Sequence, residues 1–199
     1  MSDAYRALVH KVSAFAGAQS ERYRADMACG PGCSSCCQAW LSVCAVEEAQ
    51  LTAAIAALSS EKRAVLAARG QHELAREARG EPGPRCALLD DDGRCAVYEH
   101  RPLVCRTQGL ALRYPHDVVP VSAVRARLTN GDVTCCPLNF AERVPAAADV
   151  LDAERVDQLL GLVNVRFSAA AGDNPVRRRA ISAIAATACG ENVTGELDL

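Results

Sequence analysis

The sequence predicts a mainly α fold with a small β-hairpin element, packed as a single compact, metal-stabilised domain. Apolar residues recur at three- and four-residue steps in five stretches, the signature of amphipathic helices. A Gly- and Pro-rich block interrupts them and leads into two short apolar runs around an Asp-rich turn. Eleven cysteines gather mainly in three segments. With 199 residues, half of them apolar, the chain is long enough to bury a real core without relying on metal to replace one.

The first helix is expected over Tyr5–Met27, where Tyr5, Leu8, Val12, Phe15, Gln19 and Tyr23 share one face. Gly30-Pro31-Gly32 then forms a tight loop. A second helix over Ala45–Leu58 aligns Leu51, Ala54, Ile55 and Leu58, and Ser59-Ser60 cap a third over Glu61–Arg79. The block from Gly80 to Pro84 ends helical structure. Cys86–Leu89 and Arg94–Tyr98 flank Asp90-Asp91-Asp92-Gly93 as a hairpin, with Leu88 opposite Cys95 and Cys86 opposite Val97 if the turn has no bulge. Pro102 opens a short helix carrying Cys105, and Gln108–Val133 supplies one or two further strands. A helix over Asp152–Ala170 aligns Val156, Leu159, Leu160, Val163 and Phe167. Another, capped by Asn174 with Pro175 in its first turn, runs to Ala188 and stops at Gly190. The chain thus divides into an N-terminal helix (1–28), a cysteine-cluster segment (29–137) and C-terminal helices (138–199) packed on the same domain.

A formal charge of −2 provides no surplus of Lys and Arg for a polyanion, so no nucleic-acid partner is expected. Arg177-Arg178-Arg179 reads as the solvated side of a helix. The N-terminus lacks the basic start and apolar stretch of a secretory signal, and no apolar run approaches the roughly 20 residues that span a bilayer. The expected setting is cytoplasmic, with no membrane partner.

In a reducing compartment, clustered thiols bind metal or do redox chemistry rather than form disulfides. The odd number and the adjacent pairs Cys36-Cys37 and Cys135-Cys136 also argue against a disulfide framework. The first group, Cys29, Cys33, Cys36 and Cys37, has spacings that let several thiolates reach one ion, and the small residues between them free backbone N–H groups to stabilise sulfur. Cys86, Cys95 and Cys105 form the second group, and Cys135-Cys136 before Pro137 the third. These groups offer nine thiols, whereas one tetrahedral zinc or one iron–sulfur cluster takes four. Two sites or a polynuclear centre, with some cysteines idle, would account for the excess.

Cys44 and Cys189, without companions, read as buried small apolar residues. His10, His72 and His116 lack ligand-like spacing; only His100, between Cys95 and Cys105, stands where it can touch the site. Arg101 and Arg106 either face the thiolates and lower their pKa values or pair with Asp90, Asp91 or Asp92. Tyr98 and Trp40 read as core aromatics.

The first cysteine block together with Cys86-x-Leu88-Leu89 and Gly93-Arg94-Cys95-x-Val97-Tyr98-x-x-Arg101-Pro102-x-x-Cys105-Arg106 resembles the YkgJ-type cysteine-cluster family, over roughly residues 29–137. That family's domain is described as zinc- or iron-chelating. The resemblance implies a zinc or iron–sulfur centre bound by Cys29, Cys33, Cys36, Cys37, Cys86, Cys95 and Cys105, with Cys136 as the late member and Cys135 outside the set. A flagellin lysine methylase is a related cysteine-cluster protein, so a protein-modifying enzyme is one reading. No Gly-rich loop for S-adenosylmethionine accompanies it here. The others are a metalloprotein of redox or metal-dependent chemistry, which is the leading expectation, and a structural zinc module for a protein partner.

Overall fold

The computed structural model describes residues 2–30, 32–114, 133–141, 143 and 145–189. Helix α1 spans Asp3–Arg22 and passes through a 3-10 turn at Arg24–Asp26, so the helix ends earlier than its apolar repeat. Tyr5, Leu8, Val12, Gln19 and Tyr23 are all buried, as the three- and four-residue spacing requires. Gln19, the polar member of that face, is 3% exposed and satisfied: its amide nitrogen donates to Asp149 O and its oxygen accepts from Ala111 N.

Strand β1 (Ser42–Cys44) leads directly into α2 (Ala45–Ala56), and α3 follows over Ser60–Ala78. Ser59 caps α3, its hydroxyl accepting from Lys62 N. Next come a 3-10 turn at Tyr98–His100, the short helix α4 (Leu103–Thr107) and β2 (Leu112–Arg113). Strand β3 (Val133–Thr134) pairs antiparallel with β2, and β4 (Leu151–Asp152) pairs with it in parallel on the other side. The remainder of the Gln108–Val133 stretch expected to hold strands, residues 115–132, lies outside the described residues. Helix α5 covers Ala153–Ala171, capped by the Asp152 side chain and ended by Gly172 in the left-handed conformation.

Two expectations are corrected. The last helix does not start at Asn174. Arg178–Ala180 instead forms β5, antiparallel to β1 with Ser42 opposite Ala180, and only Ile181–Ala186 is helical (α6). Side-chain partners hold the segment extended: Arg177 and Arg179 pair with Glu48, and Arg178 donates to Ser42 Oγ and O. These arginines therefore do not line one side of a helix. The hairpin reduces to a single bridge, and its register is one residue from the unbulged expectation, with Leu89 rather than Leu88 opposite Cys95. The main-chain bonds Asp90 N to Arg94 O and Ala96 N to Leu88 O close it.

Helices α3 and α6 cross at Gly70, where an added Cβ would lie 2.5 Å from Ser182 O and 2.9 Å from Ala185 C. Only glycine permits this approach. The crossing, with Val43, Leu51, Ile55, Leu66, Ile181 and Ile184, forms the first apolar cluster, against which Cys86, Cys95 and Cys105 pack. A second cluster joins α1 to α2, α4 and α5 through Tyr5, Leu8, Val46, Leu103 and Val156. Among the described residues no helix is long and apolar enough to cross a membrane.

Candidate metal centre

Of the candidate ligands, Cys105 lies in α4, whereas Cys29, Cys33, Cys36, Cys37, Cys86, Cys95 and Cys136 sit on turns and loops. The first loop turns through Cys33 N to Gly30 O (3.0 Å) and a 3-10 turn over Ser35–Cys37. It is tied to the second group by Cys86 N donating to Cys37 O at 2.8 Å. Behind both stands Glu73 of α3, 5% exposed, which accepts from Trp40 Nε1 (3.0 Å) and Arg85 N (3.2 Å). One carboxylate thus anchors a residue just after Cys37 and the residue just before Cys86. Burial alone would raise its carboxyl, but the Trp40, Arg76 and Arg85 donors outweigh it and hold Glu73 below the ordinary range.

Cys36, Cys86, Cys95 and Cys105 are electrostatic neighbours. A charge on Cys86, Cys95 or Cys36 bears on Cys105, and one on Cys95 or Cys36 bears on Cys86. Three separate segments therefore bring thiols within electrostatic reach of one another. Burial pushes the Cys86 thiol up to about 11, opposed by a hydrogen bond from Leu88 N–H. Cys95 is likewise raised by burial and opposed by Val97 N–H. Each sulfur thus meets the backbone donor two residues on, which favours the thiolate once a cation is present. Burial, then neighbouring thiols, raises Cys105, while the hydrogen bond to Cys37 is the first cause raising Cys36.

A second set surrounds Cys29, whose neighbours are Cys33, Cys136 and Cys36. The Cys29 sulfur accepts from Asn139 Nδ2 at 3.1 Å, and Asn139 also donates to Gly109 O and accepts from Ala28 N. Gly109 has φ +85°, and a Cβ there would stand 2.5 Å from Cys29 Sγ, so this sulfur occupies a notch that only glycine leaves open. Cys36 belongs to both neighbourhoods and links them.

Among the described residues, no three Cys, His, Asp or Glu side chains yet stand close enough to hold an ion between them. The donor chemistry nonetheless fits zinc or iron: most groups that bear on these thiols are other cysteine sulfurs, Cys36, Cys86, Cys95 and Cys105 are partly buried, and Arg101 is the cation whose charge favours three of them. Such thiols stay protonated until a cation offsets the cost of burying their charge.

The remaining candidates go elsewhere. Cys135 is buried with Tyr23, Ala111, Phe140 and Val150, and Cys44 lies in the second cluster, both as small apolar residues. Cys189, expected to be buried, is exposed. His100 turns to Gln50, Nδ1 to Nε2 2.8 Å, while His116 lies outside the described residues. Tyr98 is not a core aromatic: it is 54% exposed, and the Arg101 guanidinium stacks over its ring at 3.7 Å. From there the charge of Arg101 bears on Cys36, Cys95 and Cys105 and favours their thiolates. Arg106 binds Ser13 and main-chain oxygens, whereas Asp90 and Asp91 pair with Arg69, so neither arginine takes those carboxylates. Asn139 went unnoticed in the sequence; its place just after Cys135-Cys136-Pro137 was the available signal.

Fold and thiol arrangement define a helical cysteine-cluster protein. Residues 28–140 match the CxxCxxCC family, described as a putative zinc- or iron-chelating domain, and the chain belongs to that family. Its first spacing, through Gly30, Pro31 and Gly32, is one residue longer than in the signature that names the family. No curated protein and no solved structure matches the chain.

Proposed function

We propose that the protein holds zinc or iron, the latter as an iron–sulfur centre, through two adjoining thiolate sets. Cys36, Cys86, Cys95 and Cys105 form one. Cys29, Cys33 and Cys136 form the other, with Cys37 beside the junction. The observation that carries this reading is the packing of Cys86, Cys95 and Cys105 against one apolar cluster, with Cys36 as their electrostatic neighbour. The centre supplies either redox and metal-dependent chemistry, if iron, or a closed structural cross-link, if zinc. A cytoplasmic setting suits both, because a reducing compartment keeps the thiols open to metal.

The test is elemental mass spectrometry on untagged protein purified without oxygen, repeated for Cys36→Ser, Cys105→Ser and Cys189→Ser. Several irons per chain assign cluster chemistry, and one or two zincs assign the structural role. Cys36→Ser and Cys105→Ser should lose metal while Cys189→Ser keeps it. Equal loading in all three variants would sink the ligand set.

A further inference from the structure

Between α4, α5 and the strand leading to α6 lies a cavity of about 610 Å³, lined by none of the candidate metal ligands. That volume is in the range of sites for small organic ligands. Leu103, Val156 and Leu160 wall it, and Val176, 81% exposed, forms an apolar rim.

Most of its polar groups are already occupied. Glu47 accepts from Leu103 N (2.9 Å) and Tyr5 Oη (3.4 Å), and Cys44 Sγ donates to it. Asn164 is spent on Val46 N and Pro175 O. Arg178 is turned onto Ser42, and the Thr107 hydroxyl onto Leu103 O. Among the described residues this leaves Asp157, at the exposed edge of the cavity, as the lining charge with no side-chain hydrogen bond, although the Arg178 charge bears on it. Tyr114 stands near enough for the Asp157 charge to raise its phenol, after burial.

A second observation is independent of charge. Gly161 sits inside α5, where glycine costs about 1 kcal/mol relative to alanine. A Cβ there would meet nothing within 4 Å, so no close packing requires the glycine. What the missing side chain does is leave the cavity wall open beside Asp157, one helical turn away.

We propose that this cavity binds a small organic ammonium ion, its nitrogen at Asp157 beside Tyr114 and its apolar stem along Leu103, Val156 and Leu160. The cavity offers the ammonium a carboxylate and the phenol of Tyr114, and it offers the stem a largely apolar wall. An anion would find its one candidate guanidinium, Arg178, already bound. This inference does not rest on the metal reading, because none of the proposed metal ligands lines the cavity.

The experiment is titration of the full chain, as purified and labelled with nitrogen-15, with n-pentylammonium, 1-pentanol and pentanoate, following amide shifts. Pentylammonium should move amides of residues 103–108 and 153–164 and bind about tenfold more tightly than 1-pentanol, the preference expected of a hydrogen bond to a charged group. Asp157→Asn should abolish that preference and leave pentanol binding unchanged. Gly161→Leu should exclude both probes while retaining or raising the thermal midpoint. Failure of pentylammonium to shift those amides, equal binding of the alcohol, tighter binding of pentanoate, or a preference that survives Asp157→Asn would each overturn the proposal.

Discussion

The α3–α6 crossing and the cysteine-bearing turns lie against each other and are built in opposite ways. The crossing is regular structure: two helices brought backbone to backbone at Gly70, around Leu66 and Ile184, which are at most 2% exposed. The turns that carry Cys29–Cys37 and Cys86–Cys95 have 3-10 geometry or a lone β-bridge, joined by single main-chain bonds such as Cys86 N to Cys37 O. Helix packing around an apolar cluster holds the first region together. The second has little regular hydrogen bonding of its own and borrows its position from Glu73 and Asn139. A bound ion would therefore stabilise the turns far more than the scaffold.

The largest effect should come from breaking the scaffold. Gly70→Val forces side-chain atoms into the α6 backbone and should cost about 3 kcal/mol, the upper end of overpacking penalties, measured by urea unfolding and unchanged by added metal. Glu47→Ala comes next: it strips the carboxylate from Leu103 N, Cys44 N and Tyr5, and should cost about 2–3 kcal/mol, the penalty for buried donors left unpaired. Asn139→Ala should cost about 1–2 kcal/mol, but should also lower metal loading, separating site from scaffold. Chelation of the metal should expose amides of residues 33–37 and 86–107 to hydrogen exchange while 60–78 and 181–186 stay protected. Equal loss of protection everywhere would dissolve the contrast between the two regions.

Two buried glutamates sharpen the comparison through pH. Burial raises Glu47 above the ordinary carboxyl value, so between its unfolded and folded pKa the folded state binds the extra proton. Its contribution to stability therefore falls as pH rises through that window. Glu73 is depressed, so its contribution is present above the ordinary value and is lost as pH falls through the folded pKa. Glu47→Gln and Glu73→Gln should change the slope of stability against pH in opposite senses in acid solution, read from unfolding midpoints across that range. The smallest effect is expected at exposed Cys189, where serine should change stability by less than about 0.5 kcal/mol.

What the sequence made legible follows from where local rules govern. The α1 face, the Ser59 cap and the bounds of α2, α3 and α5 depend on periodicity and capping, and the structure places them close to expectation. The stretch from Val176 to Ala188 has a helical apolar repeat too, yet Ser42 and Glu48, more than 130 residues from Arg178 and Arg179, draw Arg178–Ala180 into a strand. The hairpin register turned on a single residue, which no local signal fixes. At the site, the motif identified the cysteine groups and the family. The division of the thiols between two neighbourhoods, and the parts of Asn139, Gly109 and Glu73 in positioning them, depend on contacts across the whole chain.

Asn139 also has a consequence for timing. It holds Cys29 across 110 residues of sequence, near Cys136 at the far end of the thiol set. A ribosome adding about 5–20 residues per second makes Cys29–Cys37 roughly 5–20 s before Asn139. During that interval the first loop can trap an ion while its later partners do not yet exist. Any metal taken up so early would be held provisionally, and the proposed centre would be assembled last.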